Sequence, residues 1–179
     1  MSNPADKVNE FLMWIGHCIT AWAKFEEHLF SVCRACLGAR LDRAAIVYYR
    51  TPALDSRIKL VHELVCTVLP KPPKKSGAHP HPDLKQWNDL RNEITDLLAI
   101  RRRIAHHPVR ATSAIEEKDQ ALFERTWLEI YMSENERLRS DSKDTEPLKY
   151  DDLVNHVTSV HDVTRRTSQF WRGILPKHL

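Results

Sequence analysis

The stretch LKQWNDLRNEITDLLAIRRRIAHHP, Leu84 to Pro108, decides how this chain is read. Apolar residues fall at Leu84, Trp87, Leu90, Ile94, Leu97, Leu98, Ile104 and Ala105, the three-then-four spacing of an amphipathic helix with one buried face. Arg101 continues the register of Ile94 and Leu97, so a guanidinium is expected on the face that buries those side chains. A charge in that position needs an acidic partner, a phosphate or a polar cleft, because an unpaired buried ion is strongly unfavourable. His106 and His107 come next, and Pro108 stops the helix by disfavouring α geometry at the residue before it. Arginine and histidine are thus gathered at one helix end.

The rest of the chain fits a helical frame. Its 179 residues suit one domain with a single core and no need of staples, and only four glycines interrupt segments rich in Ala, Leu, Glu, Lys and Arg. The expected fold is mainly α: an antiparallel bundle of about four to five helices across residues 1–179, with a small β-hairpin excursion before the last helix. A formal charge of +3 says little about partners by itself. No signal peptide and no apolar run of membrane-spanning length is seen, so a cytoplasmic protein without membrane contact is expected. Cys18, Cys33, Cys36 and Cys66 lie in helical patterns near apolar faces and read as reduced core thiols. Cys33 and Cys36 form a C-x-x-C pair, but no second pair follows and His17 and His28 stand at no finger-like spacing. Neither a metal nor a cofactor is expected.

In chain order, Ser2 or Asn3 can cap a first helix with Pro4 at its first position and Asp6 in its first turn. Its apolar stripe runs from Val8 to Cys36, and Gly38 ends it. Glu26 lies beside the buried face and wants a cation, for which Arg57 and Arg101 are the candidates; a carboxylate at the stripe's edge in water is the alternative. A short helix over Asp42–Tyr49 follows. Thr51 and Pro52 read as cap and first-turn proline of the next, whose seam is Leu54, Ile58, Val61, Val65 and Val68. Pro70 ends it, and residues 70–83 form an exposed proline-rich loop in which His79 and His81 read as solvated rather than metal-binding. Beyond Pro108, Val109–Ile115 and Phe123–Met132 read as two strands of a hairpin within 109–132, joined at Glu116–Gln120. Ser133–Pro147 is loop, and a last helix from about Asp151 carries the seam Leu153, Val154, Val157, Val160, Thr164, Ser168, Trp171 and Ile174.

Cations at a helix C-terminus oppose the macrodipole, which accounts for Arg102 and Arg103 but less well for Arg101. Arg102 and His106 are one turn apart and adjacent. Arg101 and His106 are about 140° apart around the axis and converge only in a broad cleft or one shared between subunits. A guanidinium and an imidazole suffice for metal-free RNA cleavage: Arg holds the phosphate and stabilises charge developing on its oxygens, while His moves a proton to or from the 2′-hydroxyl or the leaving oxygen.

The L-L-x-x-R-x-x-I-A-H of Leu97, Leu98, Arg101, Ile104, Ala105 and His106 resembles the signature of HEPN-fold proteins, an Arg followed after four to six residues by a His on a late helix. Ile15-Gly16 and the W-A-x-x-E of Trp22, Ala23 and Glu26 are similar to the opening helix of bacterial HEPN-like proteins of this size. The resemblance covers roughly residues 8 to 108, with a weak echo in the final helix. It implies an up-and-down helical bundle, a homodimer whose two Arg-His motifs share a cleft, and a metal-independent endoribonuclease of the kind used as a toxin or in phage defence. Arg101 and His106 would be the catalytic pair. Arg102 stands where the family commonly has a polar residue and His107 where it often has Gly, which places the proton-transfer geometry in question.

Two functions compete. In the first, Arg101 binds the scissile phosphate, His106 is the acid or base, Arg102, Arg103, His107 and Arg110 hold flanking RNA phosphates, and Glu26 and Arg57 support the fold. In the second, the chain is a non-catalytic HEPN-like bundle with a binding or regulatory role, in which Glu26 pairs with Arg101 or Arg57 and His106 caps a helix end. A homodimer and a cognate antitoxin protein are the protein partners these readings imply. DNA-binding or small-molecule-binding domains fit less well, since no recognition helix and no Gly-rich phosphate loop appears.

Overall fold

The computed structural model describes residues 4–70, 81–106, 109–113, 126–130 and 148–179, with side chains described for 6, 8–70, 81–106 and 148–179. The fold is mainly α, and among the described residues the helical bundle has five α-helices: α1 Pro4–Leu37, α2 Leu41–Arg50, α3 Leu54–Val68, α4 Pro82–His106 and α5 Tyr150–Gln169. Strands β1 Val109–Ser113 and β2 Thr126–Ile130 pair antiparallel, with Val109 opposite Ile130 and Ser113 opposite Thr126. The connection expected at Glu116–Gln120, the loop at Ser133–Pro147 and the proline-rich segment 71–80 lie outside the described residues.

Local chemistry sets the helix ends. Gly38 takes φ +56°, and its N–H donates to the Ala35 carbonyl, closing α1 with the one backbone conformation a residue bearing Cβ adopts reluctantly. Thr51 does not start α3 as its sequence suggests. Its N–H donates to the Tyr48 carbonyl and its hydroxyl to that of Val47, so it finishes α2; α3 begins after Ala53, which has no side-chain capping bond. Pro52 therefore sits in the link between the helices rather than in a first turn.

The buried side chains divide between two compact units, where composition suggests a single core. Unit 2, residues 21–98 and 159–179, holds the larger cluster, with Phe25, Leu29, Tyr48, Val61, Val65, Trp87, Ile94 and Phe170 all inaccessible. Trp87 and Phe170 rings lie 5.1 Å apart, a tilted aromatic pair at its centre. The last helix buries Val160, Val163, Thr167 and Phe170 there, not the expected Ser168, Trp171 and Ile174, which are half-buried. The buried register steps three, four and three residues, and past Gln169 the backbone opens into a π turn at Phe170–Ile174, carrying the seam away from a constant repeat.

Unit 1, residues 1–20 and 99–158, has a small cluster of Phe11, Cys18, Leu148, Leu153 and Val157, flanked by Trp14, Ile15, Ile100 and Ile104. Cys18 donates its S–H to the Leu153 carbonyl at 3.8 Å. At its surface, Trp14 Nε1 donates to the Tyr150 hydroxyl at 3.0 Å, and that hydroxyl donates to Glu10 Oε1 at 2.8 Å. All four cysteines are free thiols, and burial pushes Cys18 and Cys33 up to about 11 and Cys36 up to about 12. Cys18 and Cys33 are buried core sulfurs, Cys36 packs half-buried against the larger cluster, and Cys66 is half-buried.

Candidate functional site

The Arg and His residues of α4 do not all have the exposures their spacing suggests. Arg103 is the buried one, at 8% exposure; Arg101 is half-buried and Arg102 exposed. Arg101 keeps the half-buried position that its register with Ile94 and Leu97 suggests; Arg103 is buried as well because beyond Ala99 the apolar contacts of the helix are made by Ile100 and Ile104, and Arg103 lies one turn from Ile100. Each of the three arginines has a partner within the chain. His106 is exposed at the last residue of α4. Arg102 stands one turn before it, so an exposed guanidinium and an exposed imidazole occupy neighbouring positions at one helix end. His107 lies outside the described residues, and of Arg110 only the backbone is described, in β1 opposite Glu129.

His156, on α5, was not singled out by its sequence. It is 2% exposed in unit 1, and burial pushes its imidazole down to about 4, so it is neutral at physiological pH. With Arg103 it is one of two buried polar or charged side chains among the described residues of that unit. The substitution of His156 for an apolar residue in a seam otherwise made of Leu153, Val157 and Val160 is the one cue the sequence offers.

Glu26 and Arg57 do meet. Arg57 Nη1 donates to Glu26 Oε2 at 2.7 Å and its Nε to the Thr51 carbonyl at 2.9 Å, while its guanidinium lies 5.3 Å from the Tyr48 ring centre and 5.5 Å from that of Tyr49. Tyr48, fully buried, donates its hydroxyl to the Glu26 carbonyl at 3.3 Å; burial and then the Glu26 charge raise its phenol. Both charges are largely shielded, with side chains 16% and 22% exposed, so this pair ties α1, α2 and α3 together.

Three further polar groupings occur in unit 2. His178 Nε2 lies 2.8 Å from Asp83 Oδ2 and His81 Nδ1 lies 3.7 Å from the same oxygen, with the two imidazole rings edge to face at 5.6 Å. His81 is therefore engaged at the start of α4 rather than solvated in the proline-rich loop. Trp87 Nε1 donates to His62 Nδ1 at 3.2 Å, which fixes the neutral ring with its proton on Nε2. Cys66, 3.7 Å from Nε2, then faces no lone pair that could take its proton, and burial raises its thiol; the pair packs and does not form a nucleophile and base. The third grouping edges a shallow groove of about 430 Å³ between Pro82, Lys85, Gln86, Asp89, Leu90, Glu93 and Arg166. Its charges cancel: Lys85 pairs with Asp89 at 3.6 Å, and Arg166 pairs with Glu93 and Asp162, the arginine holding the Glu93 carboxyl below its usual range.

Among the described residues no group of three or more His, Cys, Asp or Glu side chains is arranged to hold a metal ion, and no helix is long and apolar enough to cross a membrane. Comparison with protein-family models, curated proteins and solved structures returns no match.

Proposed function

We propose that the chain is a HEPN-like, metal-independent endoribonuclease of the toxin or phage-defence kind, working in the cytoplasm as a homodimer. The observation that carries this is the end of α4, where the exposed Arg102 and His106 stand one turn apart with Arg101 half-exposed beside them. An exposed imidazole is within reach of a ribose 2′-hydroxyl or a leaving 5′-oxygen and transfers the proton. Arg101 takes the phosphate and stabilises the charge that grows on its non-bridging oxygens, and Arg102 grips the neighbouring phosphate. Because Arg101 and His106 point about 140° apart on one helix, the two are brought to one phosphate by a two-fold partner that contributes the second half of the cleft. Arg103, being buried, holds the helix end rather than RNA. Of the remaining phosphate contacts, His107 and Arg110 complete the basic rim, and a small antitoxin protein is the partner that would cover it.

A second reading is favoured by one fact: Arg101, Arg102 and Arg103 each have a partner within the chain. In that case their charge is spent on the fold, and the chain is a non-catalytic HEPN-like binding or regulatory bundle. Light scattering and RNA cleavage separate the two. The nuclease is dimeric at micromolar concentration and cuts RNA; a monomer that leaves varied RNAs intact is the binding protein.

A further inference from the structure

The solvent side of α2 is not what a solvent side is expected to be. Its buried residues are Ala44 and Tyr48, and the opposite arc presents Ile46, Val47 and Tyr49 to water beside the exposed Arg43 and Arg50. Polar residues are the rule on such an arc, and three large apolar side chains there mark a contact surface.

Tyr49 is the best-built part of it. Its ring is 55% exposed, yet it is gripped from behind: Phe30 lies 5.5 Å away and tilted by 35°, Tyr48 meets it edge-on at 5.1 Å, and the Arg57 guanidinium stands 5.5 Å from its centre. Arg57 is in turn fixed by Glu26 and the Thr51 carbonyl. An exposed aromatic ring held this firmly loses little freedom when another flat ring stacks on it. Arg43 and Arg50 are two helical turns apart, about 10 Å along the axis, and neither has an acidic partner among the described residues. The acidic group on this helix, Asp42, pairs with Arg40 at 3.6 Å. Guanidinium groups on the same outer face as a rigid aromatic ring match a single nucleic-acid strand, in which phosphates and unstacked bases alternate.

We propose that the outer face of α2 is a subsite for single-stranded RNA, in which a base stacks on Tyr49 against Ile46 while Arg43 and Arg50 pair with phosphates of the same strand. This names a strand-holding surface separate in sequence from the Arg-His end of α4, and it rests on the reading of the chain as an RNA-cutting protein. The face selects unpaired RNA, because a base inside a duplex offers no free ring surface to Tyr49.

The test is fluorescence anisotropy of the full chain, in EDTA, with a fluorescein-labelled 2′-O-methyl oligoadenylate, which binds but lacks the hydroxyl that cleavage consumes. Tyr49→Ala should weaken binding by about 10-fold and Tyr49→Phe should leave it near wild type, as expected for stacking. Arg43→Gln with Arg50→Gln should lower the salt dependence by roughly 1.4 in the slope of log affinity against log salt, two contacts at about 0.7 each on a single strand. A duplex of the same length should bind less tightly. Unchanged affinity in Tyr49→Ala, with its melting temperature retained, overturns the proposal, as does equal affinity for the duplex. So does a wild-type dimer that Ile46→Glu converts to monomer, since the face would then belong to a second copy of the chain. Cleavage of unmodified RNA without these binding effects removes the subsite and leaves the nuclease; the binding effects without cleavage do the reverse.

Discussion

The two units differ in the kind of polar side chain they bury. In unit 2 the shielded charges of Glu26 and Arg57 meet each other at 2.7 Å within a large aromatic-rich cluster, and the pair fastens three helices. In unit 1 a guanidinium, Arg103, and an imidazole, His156, are buried, and the apolar cluster among the described residues is Phe11, Cys18, Leu148, Leu153 and Val157. Among the described residues, unit 2 thus carries the aromatic-rich cluster with its ion pair, and unit 1 carries the buried imidazole and the end of α4.

Breaking the centre of the unit 2 cluster should cost most. Trp87→Ala removes the fully buried indole that packs on Phe170 and donates to His62, and should destabilise by about 3–5 kcal/mol in urea unfolding. A loss below about 1 kcal/mol would mean the large cluster does not carry the fold.

Acid should act on the other unit. His156 titrates at about 4 when folded and at 6.5 when free, its folded value lowered by burial. Above pH 6.5 both states are neutral and it contributes nothing; as pH falls below 6.5 the unfolded chain takes up the proton first. Stability is therefore lost between pH 6.5 and about 4, by roughly 3 kcal/mol in full. His156→Leu should flatten that part of the pH profile. A wild-type profile flat across this window would show that the imidazole is not held neutral.

The Glu26 pair should matter somewhat less. Glu26→Ala leaves Arg57 with the Thr51 carbonyl and two aromatic rings but no carboxylate, and should cost about 2 kcal/mol, below the loss for a fully buried pair because both side chains keep some solvent. An unchanged melting temperature would remove this contrast between the units. Smallest is the exposed pair: Lys85→Ala should shift stability by no more than about 0.5 kcal/mol, since the Lys85–Asp89 contact lies in water.

Much of this was legible in the residues. Long amphipathic stripes, the terminating Gly38 and the position of Glu26 specify helices and an ion pair, because helical periodicity and the need of a shielded charge for a partner are local rules. Thr51 closes α2 rather than opening α3 because a threonine between two helices can do either, and here its N–H and hydroxyl both reach back to carbonyls of α2. Arg103 is buried where the sequence suggests only a charge opposing the helix dipole, because Ile100, which the stripe does not include, packs on that side of the helix. His156 and His81 were missed or misjudged because their surroundings are made by residues far along the chain, His81 and Asp83 meeting His178, and no window of sequence contains both.

The central claim is that the end of α4 cuts RNA. Purified protein incubated with single-stranded RNA in EDTA should yield products ending in a 2′,3′-cyclic phosphate or 3′-phosphate, and His106→Ala and Arg101→Ala should each slow this by about 100-fold or more with the fold intact. Varied RNAs left whole by the wild-type protein, or cut equally well by His106→Ala, would contradict the account.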